Sequence, residues 1–220
     1  VAAAARRGLA CLVIPREHGG SGASHVTFAR FIEVVARECA SSSVILDVHG
    51  SVACEPILLF GTDEQRRSLL PRLASGEWMG GFALTEPGSG SDVAALETRA
   101  VRTASGYRLT GTKAFITGGG VADLYLVMAR TGDGSGGISA FLVEGAQPGV
   151  RGGTPLAKMG LRGSVTAELL LQGVEVPESR RLGAEGDGFR IAMAALDAGR
   201  IGISAQAVGI AQGALDAVLG

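Results

Sequence analysis

Phe82-Ala83-Leu84-Thr85-Glu86-Pro87-Gly88-Ser89-Gly90-Ser91-Asp92 is the stretch on which the reading of this chain turns. An apolar strand end runs into a loop whose two glycines permit close backbone approach and left-handed angles. Amides, hydroxyls and a carboxylate crowd together there, and successive amides in such a turn form an anion-binding nest. A Gly- and Ser-rich segment standing alone is more often a polar surface turn. What flanks it decides between the two.

Upstream, residues 1 to about 79 read as helices. Phe28, Phe31, Ile32, Val35 and Cys39 fall on one apolar helical face. Thr62-Asp63-Glu64-Gln65 has the form of a capping box, with Leu69, Leu70 and Leu73 as the buried side of the helix it opens and Gly76 as its end. Downstream the texture changes. A Ser105-Gly106 turn precedes the alternating Tyr107-Arg108-Leu109-Thr110, and the apolar runs 124–129, 138–143 and 168–176 are bounded by Gly, Asp and Pro. Gly132–Gly137 reads as a hairpin tip. No helical run interrupts these strands, so a closed or sandwiched antiparallel sheet is expected. After Pro177 the helical pattern returns, and Ile191–Leu219 is apolar nearly all round, as in a helix surrounded by others. Its glycines 199, 202, 209 and 213 each cost about 1 kcal/mol of helix propensity, tolerable where a neighbour must approach the backbone. The fold class is α+β, divided at 1–79, 80–183 and 184–220.

With 20 basic and 21 acidic residues scattered along the chain, the net charge of -1 suggests neither nucleic acid nor an anionic membrane as a partner. The longest uncharged stretch, 201–215, falls short of the roughly 20 apolar residues of a membrane span, so no membrane insertion is expected. Cys11, Cys39 and Cys54 have no CxxC spacing and are expected to be reduced and mostly buried. His18, His25 and His49 lack paired ligand spacing, and no metal site is predicted. The chain lacks an initiator Met and stops inside an apolar periodic segment, which reads as two cuts within a longer protein. With no targeting segment seen, a cytoplasmic location is expected, or the mitochondrial matrix in a eukaryote.

ALTEPGSGSD at 83–92 resembles the signature of the acyl-CoA dehydrogenase family. IPREHGGSG (14–22), FGTDEQRRSLLPRLASGE (60–77), LTGTKAFITGGGVADLYLV (109–127), KMGLRGSVTAEL (158–169) and the segment 185–216 resemble successive family segments in order. The resemblance implies an N-terminal helical domain, a middle β-barrel or sandwich domain and the first helix of a C-terminal four-helix bundle. It further implies FAD held by Phe82, Leu84, Thr85, Gly90 and Ser91 of the loop and by Phe115, Ile116 and Thr117 of a second segment. Phe115 is expected over one ring face and the Thr117 hydroxyl near N5. Many relatives carry Trp and Tyr where this chain has Phe115 and Phe82, so a polar handle is lost at each. Ser91, Asp197 and Arg200 are implied as acyl-CoA contacts, although Asp197 and Arg200 also suit a plain i, i+3 ion pair.

The reaction implied is α,β-dehydrogenation of an acyl-CoA thioester, with electrons passed to an electron-transfer flavoprotein, in a homotetramer. The base in relatives is a Glu beyond the position of residue 220 or, in a minority, a residue where this chain has Gly199. Glu86 is not the base in relatives, so no catalytic base is expected in this chain. A same-fold flavin oxidase or monooxygenase, or a non-catalytic acyl-CoA- or flavin-binding subunit, are the alternatives.

Overall fold

A computed structural model describes residues 2–220. Helices come first: α1 (Ala2–Ala5), α2 (His25–Glu38), α3 (Ala40–Asp47), α4 (Glu55–Phe60) and α5 (Asp63–Ala74). The capping box forms as expected, with Thr62 accepting from the Gln65 amide and Gln65 from the Thr62 amide. Gln65 Nε2 also donates to Ser179 O and Arg181 O, both 2.9 Å, which ties α5 to the strand region. On α2 the buried residues are Phe28, Ile32 and Ala36. Phe31 and Val35 are half-buried, and Cys39 lies past the helix end and is exposed, which corrects the five-residue face read from spacing. Spacing cannot show where a helix stops, and here the chain leaves α2 at Cys39 in an extended conformation.

Between α3 and α4 the helix widens into a π-helical stretch, Val48–Cys54, so that Ala40–Phe60 forms one 21-residue rod. π turns are rare and cluster at functional sites. This one places Val48 and Val52 on one side and buries His49 and Cys54 on another. The rod and the terminal helix α6 (Gly188–Leu219) are each apolar and long enough to cross a membrane, which corrects the uncharged-stretch criterion. Scattered charges such as Asp47 and Arg200 interrupt the run without lowering its mean hydropathy far. The rod is 72% buried within the protein, as a core helix is.

Eight strands follow: β1 (Gly80–Ala83), β2 (Arg99–Thr103), β3 (Gly106–Thr117), β4 (Leu124–Arg130), β5 (Ile138–Glu144), β6 (Val150–Gly152), β7 (Thr166–Pro177) and β8 (Arg181–Leu182). Their order is β6-β7-β3-β2-β4-β5-β8, with β1 pairing β4. The β2–β3 hairpin turns at Ser105-Gly106, and residues 132–137 join β4 to β5 as expected. The sheet is mixed rather than wholly antiparallel, because β1 runs parallel to β4 and β2 touches β4 in the same sense. Strand β1 arrives from the helices and enters the sheet beside a strand distant in sequence, which no local turn signal encodes.

Alternation along β4 shows how the core is organised. Leu124, Leu126 and Met128 point to the helices, where they meet Ile57, Leu69, Leu73 and Ile191. Tyr125, Val127 and Ala129 point the other way, onto Leu109, Phe141, Leu171 and Val174, so the sheet folds over a second core. Both faces are covered, which is why the run reads as continuously apolar.

Helix α6 packs along α2 and α3, and its glycines make that possible. A Cβ on Gly209 would lie 2.2 Å from Glu33 O, on Gly213 2.4 Å from Arg37 O, and on Gly202 1.9 Å from Asp47 Oδ1. Gln206 is buried in the seam, where Nε2 donates to Ala40 O (2.9 Å) and Ser43 Oγ (2.7 Å). Away from that seam α6 leaves Ile201, Val208, Ile210 and Leu215 exposed, so the all-round burial expected of this helix is met on one face only.

Candidate functional site

Where β1 and β3 end beside the π stretch and α6, a cleft of about 290 Å³ opens. Its sheet wall is Phe82, Leu84, Thr85, Phe115, Ile116 and Thr117; its helical wall includes Asp47, Val48, Val52, Leu196, Gly199 and Arg200. Two segments separated by thirty residues of sequence thus converge on one wall. Ala114 N donates to Thr85 O at 2.8 Å and stitches them together.

Phe115 is the irregular point of that wall. The β3–β7 register breaks between Lys113 and Ile116, and Phe115 has φ +57°. A left-handed conformation at a bulky residue costs on the order of 1–3 kcal/mol and persists where the surroundings over-determine it. The bulge turns the ring out of the sheet, leaving it 68% exposed at the cleft. An aromatic held in this way presents a flat face to a flat ligand.

The donors on the wall await acceptors. Among the described residues the Thr85 N–H and the Thr85 and Thr117 hydroxyls have no hydrogen-bond partner. Unpartnered donors around an apolar floor fit a planar ring with a polar edge, and the residues present therefore fit a flavin. Gly90 and Ser91, also expected at the cofactor, are exposed on the loop and outside the cleft lining. The loop closes through reciprocal bonds between Glu86 and Ser89, at 2.9 and 3.1 Å. Gly88 and Gly90 have open space around them and do not use the left-handed angles that glycine permits. Arg200 reaches the cleft lining while Asp197 does not, and the two form an exposed ion pair at 2.8 Å.

Sequence reading passed over three groups that the fold makes prominent. Lys113 on β3 is fully buried and pairs with Glu86 at 2.7 Å, behind the sheet wall. Asp47 is the one carboxylate on the cleft lining, 3% exposed, with Ser51 donating to Oδ1 at 3.0 Å. Cys11, His49 and Cys54 gather into a buried cluster across a sequence separation of 43, with sulfurs 3.4 Å apart. Ligand spacing on one element could not have revealed that gathering. His49 Nδ1 accepts from Gly80 N (2.9 Å), which puts the ring proton on Nε2, facing Leu73 O at 3.0 Å. A nitrogen carrying its proton is no metal ligand, so the cluster reads as hydrogen-bonded core.

Burial pushes the Asp47 carboxyl up from 3.8 to about 7, with the Ser51 hydroxyl pulling weakly the other way. A folded-state value above the unfolded one means the folded protein keeps a proton that the unfolded chain releases between about pH 4 and pH 7. Stability then falls as pH rises through that window, and the loss is complete above it. Asp47→Asn is expected to gain about 2 kcal/mol relative to the native protein between about pH 5 and pH 8, measured by urea unfolding at both.

A bulged aromatic and free donors on a sheet, faced by a small-residue helix across an apolar cleft, define a two-walled α+β protein built to clamp a flat ligand. The chain belongs to the acyl-CoA dehydrogenase family: the family's N-terminal domain matches residues 1–77 and its middle domain residues 81–174. It is 50% identical over 213 residues to an acyl-CoA dehydrogenase of Bacillus subtilis, covering 96% of this chain and 56% of that protein. A structure reported for the electron-transferring flavoprotein of Acidaminococcus fermentans, in work on flavin-based electron bifurcation, superposes with TM-score 0.97 at 42% identity, over 99% of this chain and 58% of that one. An acyl-CoA dehydrogenase of Bacillus anthracis complexed with FAD superposes with TM-score 0.89 at 36% identity, over 94% of this chain and 35% of that one. The chain spans about half the length of the curated relatives it matches.

Proposed function

We propose that this chain forms the flavin-binding part of an enzyme that dehydrogenates an acyl-CoA thioester between its α and β carbons. The observation that carries the reading is the single wall made by Leu84, Thr85, Phe115 and Thr117, with donors that have no partner among the described residues. Bound there, FAD supplies the acceptor for a hydride from the β carbon.

The chain's own residues supply position and exclusion of water. Thr85 N–H and the Thr85 and Thr117 hydroxyls would hold the polar edge of the ring, and Phe115 would cover a face. The helical wall of Val48, Val52 and Gly199 would hold the acyl-thioester. Apolar side chains keep water from the α-proton, whose removal needs a base in a dry site. Glu86 is spent on Lys113 and on the Glu97 and Thr98 amides, and Gly199 has no side chain. Asp47 Oδ1 is engaged by Ser51 and lies against Gly202. On the family resemblance, the base is assigned to sequence outside these 220 residues, and the exposed face of α6 is taken to be covered by further helices of a bundle rather than by lipid. The likeness to the Acidaminococcus structure supports an electron-transfer flavoprotein as the partner that reoxidises the flavin. Homotetramer assembly is proposed on family likeness alone.

The test is anaerobic. Full-length protein mixed with straight-chain acyl-CoA thioesters is expected to bleach its flavin absorbance and form the 2-enoyl product, while residues 1–220 alone do neither. Bleaching followed by reoxidation in air at the catalytic rate would assign it to the oxidases, and no bleaching with any thioester would refute the reading.

A further inference from the structure

Behind the sheet wall lies a charge arrangement that the clamping of a ring does not by itself require. Lys113, two residues before Phe115, has no solvent exposure. Its Nζ donates to Glu86 Oε1 at 2.7 Å and to Leu84 O at 3.1 Å. Glu86 is held in turn by the amides of Glu97 (2.6 Å) and Thr98 (3.0 Å). The Leu84 carbonyl and the Thr85 N–H belong to one peptide group. An ammonium therefore grips one end of a peptide whose other end is a free donor at the cleft.

We propose that Lys113, seated by Glu86, is a positioning residue that polarises the Leu84–Thr85 peptide and so strengthens the Thr85 N–H as a donor to the electron-rich edge of the reduced flavin. Hydrogen bonds in series polarise one another where the dielectric is low, and a charged donor makes a bond roughly twice as strong as a neutral one. The polar edge of a flavin gains electron density on reduction, so a stronger donor favours the reduced form over the oxidised one. Burial draws the Lys113 ammonium down to about 8 against the pull of Glu86, which leaves it charged at neutral pH. Burial pushes Glu86 upward, yet the Lys113 charge and the amide donors outweigh it and hold the carboxyl below its ordinary value.

The inference rests on the flavin reading of the cleft, and its test separates the two. The full-length protein loaded with FAD is compared with Glu86→Gln/Lys113→Met, which removes both charges together, and with Glu86→Gln/Lys113→Gln, which restores a neutral donor. Midpoint potentials and FAD affinities are measured for each. The Met variant is expected to lose about tenfold more affinity for reduced than for oxidised flavin, a fall of about 30 mV for a two-electron couple. The Gln variant is expected to recover less than half of that. An unchanged potential in variants that bind FAD overturns the inference. So does an equal loss of affinity for both redox states, since the pair would then support binding alone. A native protein that takes up no flavin refutes the proposed function instead.

Discussion

Gly209→Val is expected to destabilise the protein by about 3 kcal/mol or more, although helix propensity alone predicts a gain. The reason is the seam between α2 and α6. Gly209 is buried, and its added Cβ meets the Glu33 carbonyl at 2.2 Å and Ala36 Cβ at 2.8 Å. A backbone carbonyl cannot rotate away as a flexible side chain can, so the helices must part. Parting them uncovers Ile32 and Phe28 beneath and shifts Gly199 and Arg200 at the cleft. Urea unfolding measures the loss, and Ile210→Val on the exposed face of the same helix serves as a control within about 0.5 kcal/mol of native. A neutral Gly209→Val would mean that α6 does not pack on α2 as described.

Lys113→Met alone is expected to cost about 3–5 kcal/mol, because it leaves the Glu86 carboxylate buried without its cation. Adding Glu86→Gln should return a large part of that, since a buried pair replaced together is often nearly neutral while a broken one is not. Thermal and urea unfolding of the two single variants and the double variant give the coupling directly. Additive losses would show that the two groups do not share one site. The single variant should also loosen Leu84 and Thr85, whose backbone the pair fixes, and weaken cofactor retention before the fold itself is lost.

Local signals were legible in the sequence, and contacts across the chain were not. Thr62 and Gln65 announce their helix because both halves of the capping box lie within four residues. The β2–β3 hairpin is announced by its own turn. The glycines of α6 announced a close neighbour without saying which, and the structure supplies Glu33, Arg37 and Asp47. The parallel entry of β1 beside β4 has no turn to mark it. The π stretch at 48–54 packs against β1 and α6, and no local pattern in its residues marks it. At the candidate site, the resemblance named Leu84 and Thr85 from one segment and Phe115 and Thr117 from another, and only the fold shows that the two share one wall. Lys113 carries no signal in the sequence, because its counter-ion Glu86 lies 27 residues away and only the fold brings the two together. Asp47 was lost among apolar neighbours, because one acid in such a run carries no pattern.

In the proposed function the two segments at 82–85 and 115–117 grip one flat cofactor, and FAD affinity of the full-length protein with and without Phe115→Asp measures that grip. Phe115 is exposed at the cleft and Asp tolerates a left-handed backbone better than Phe, so the fold should survive the change. We predict one FAD per native chain and a loss of affinity of at least about 100-fold in the variant, roughly 2.7 kcal/mol, from lost ring contact and a charge set against the ring face. A native protein that binds no flavin, or a variant that binds it as tightly as the native one, would contradict the account.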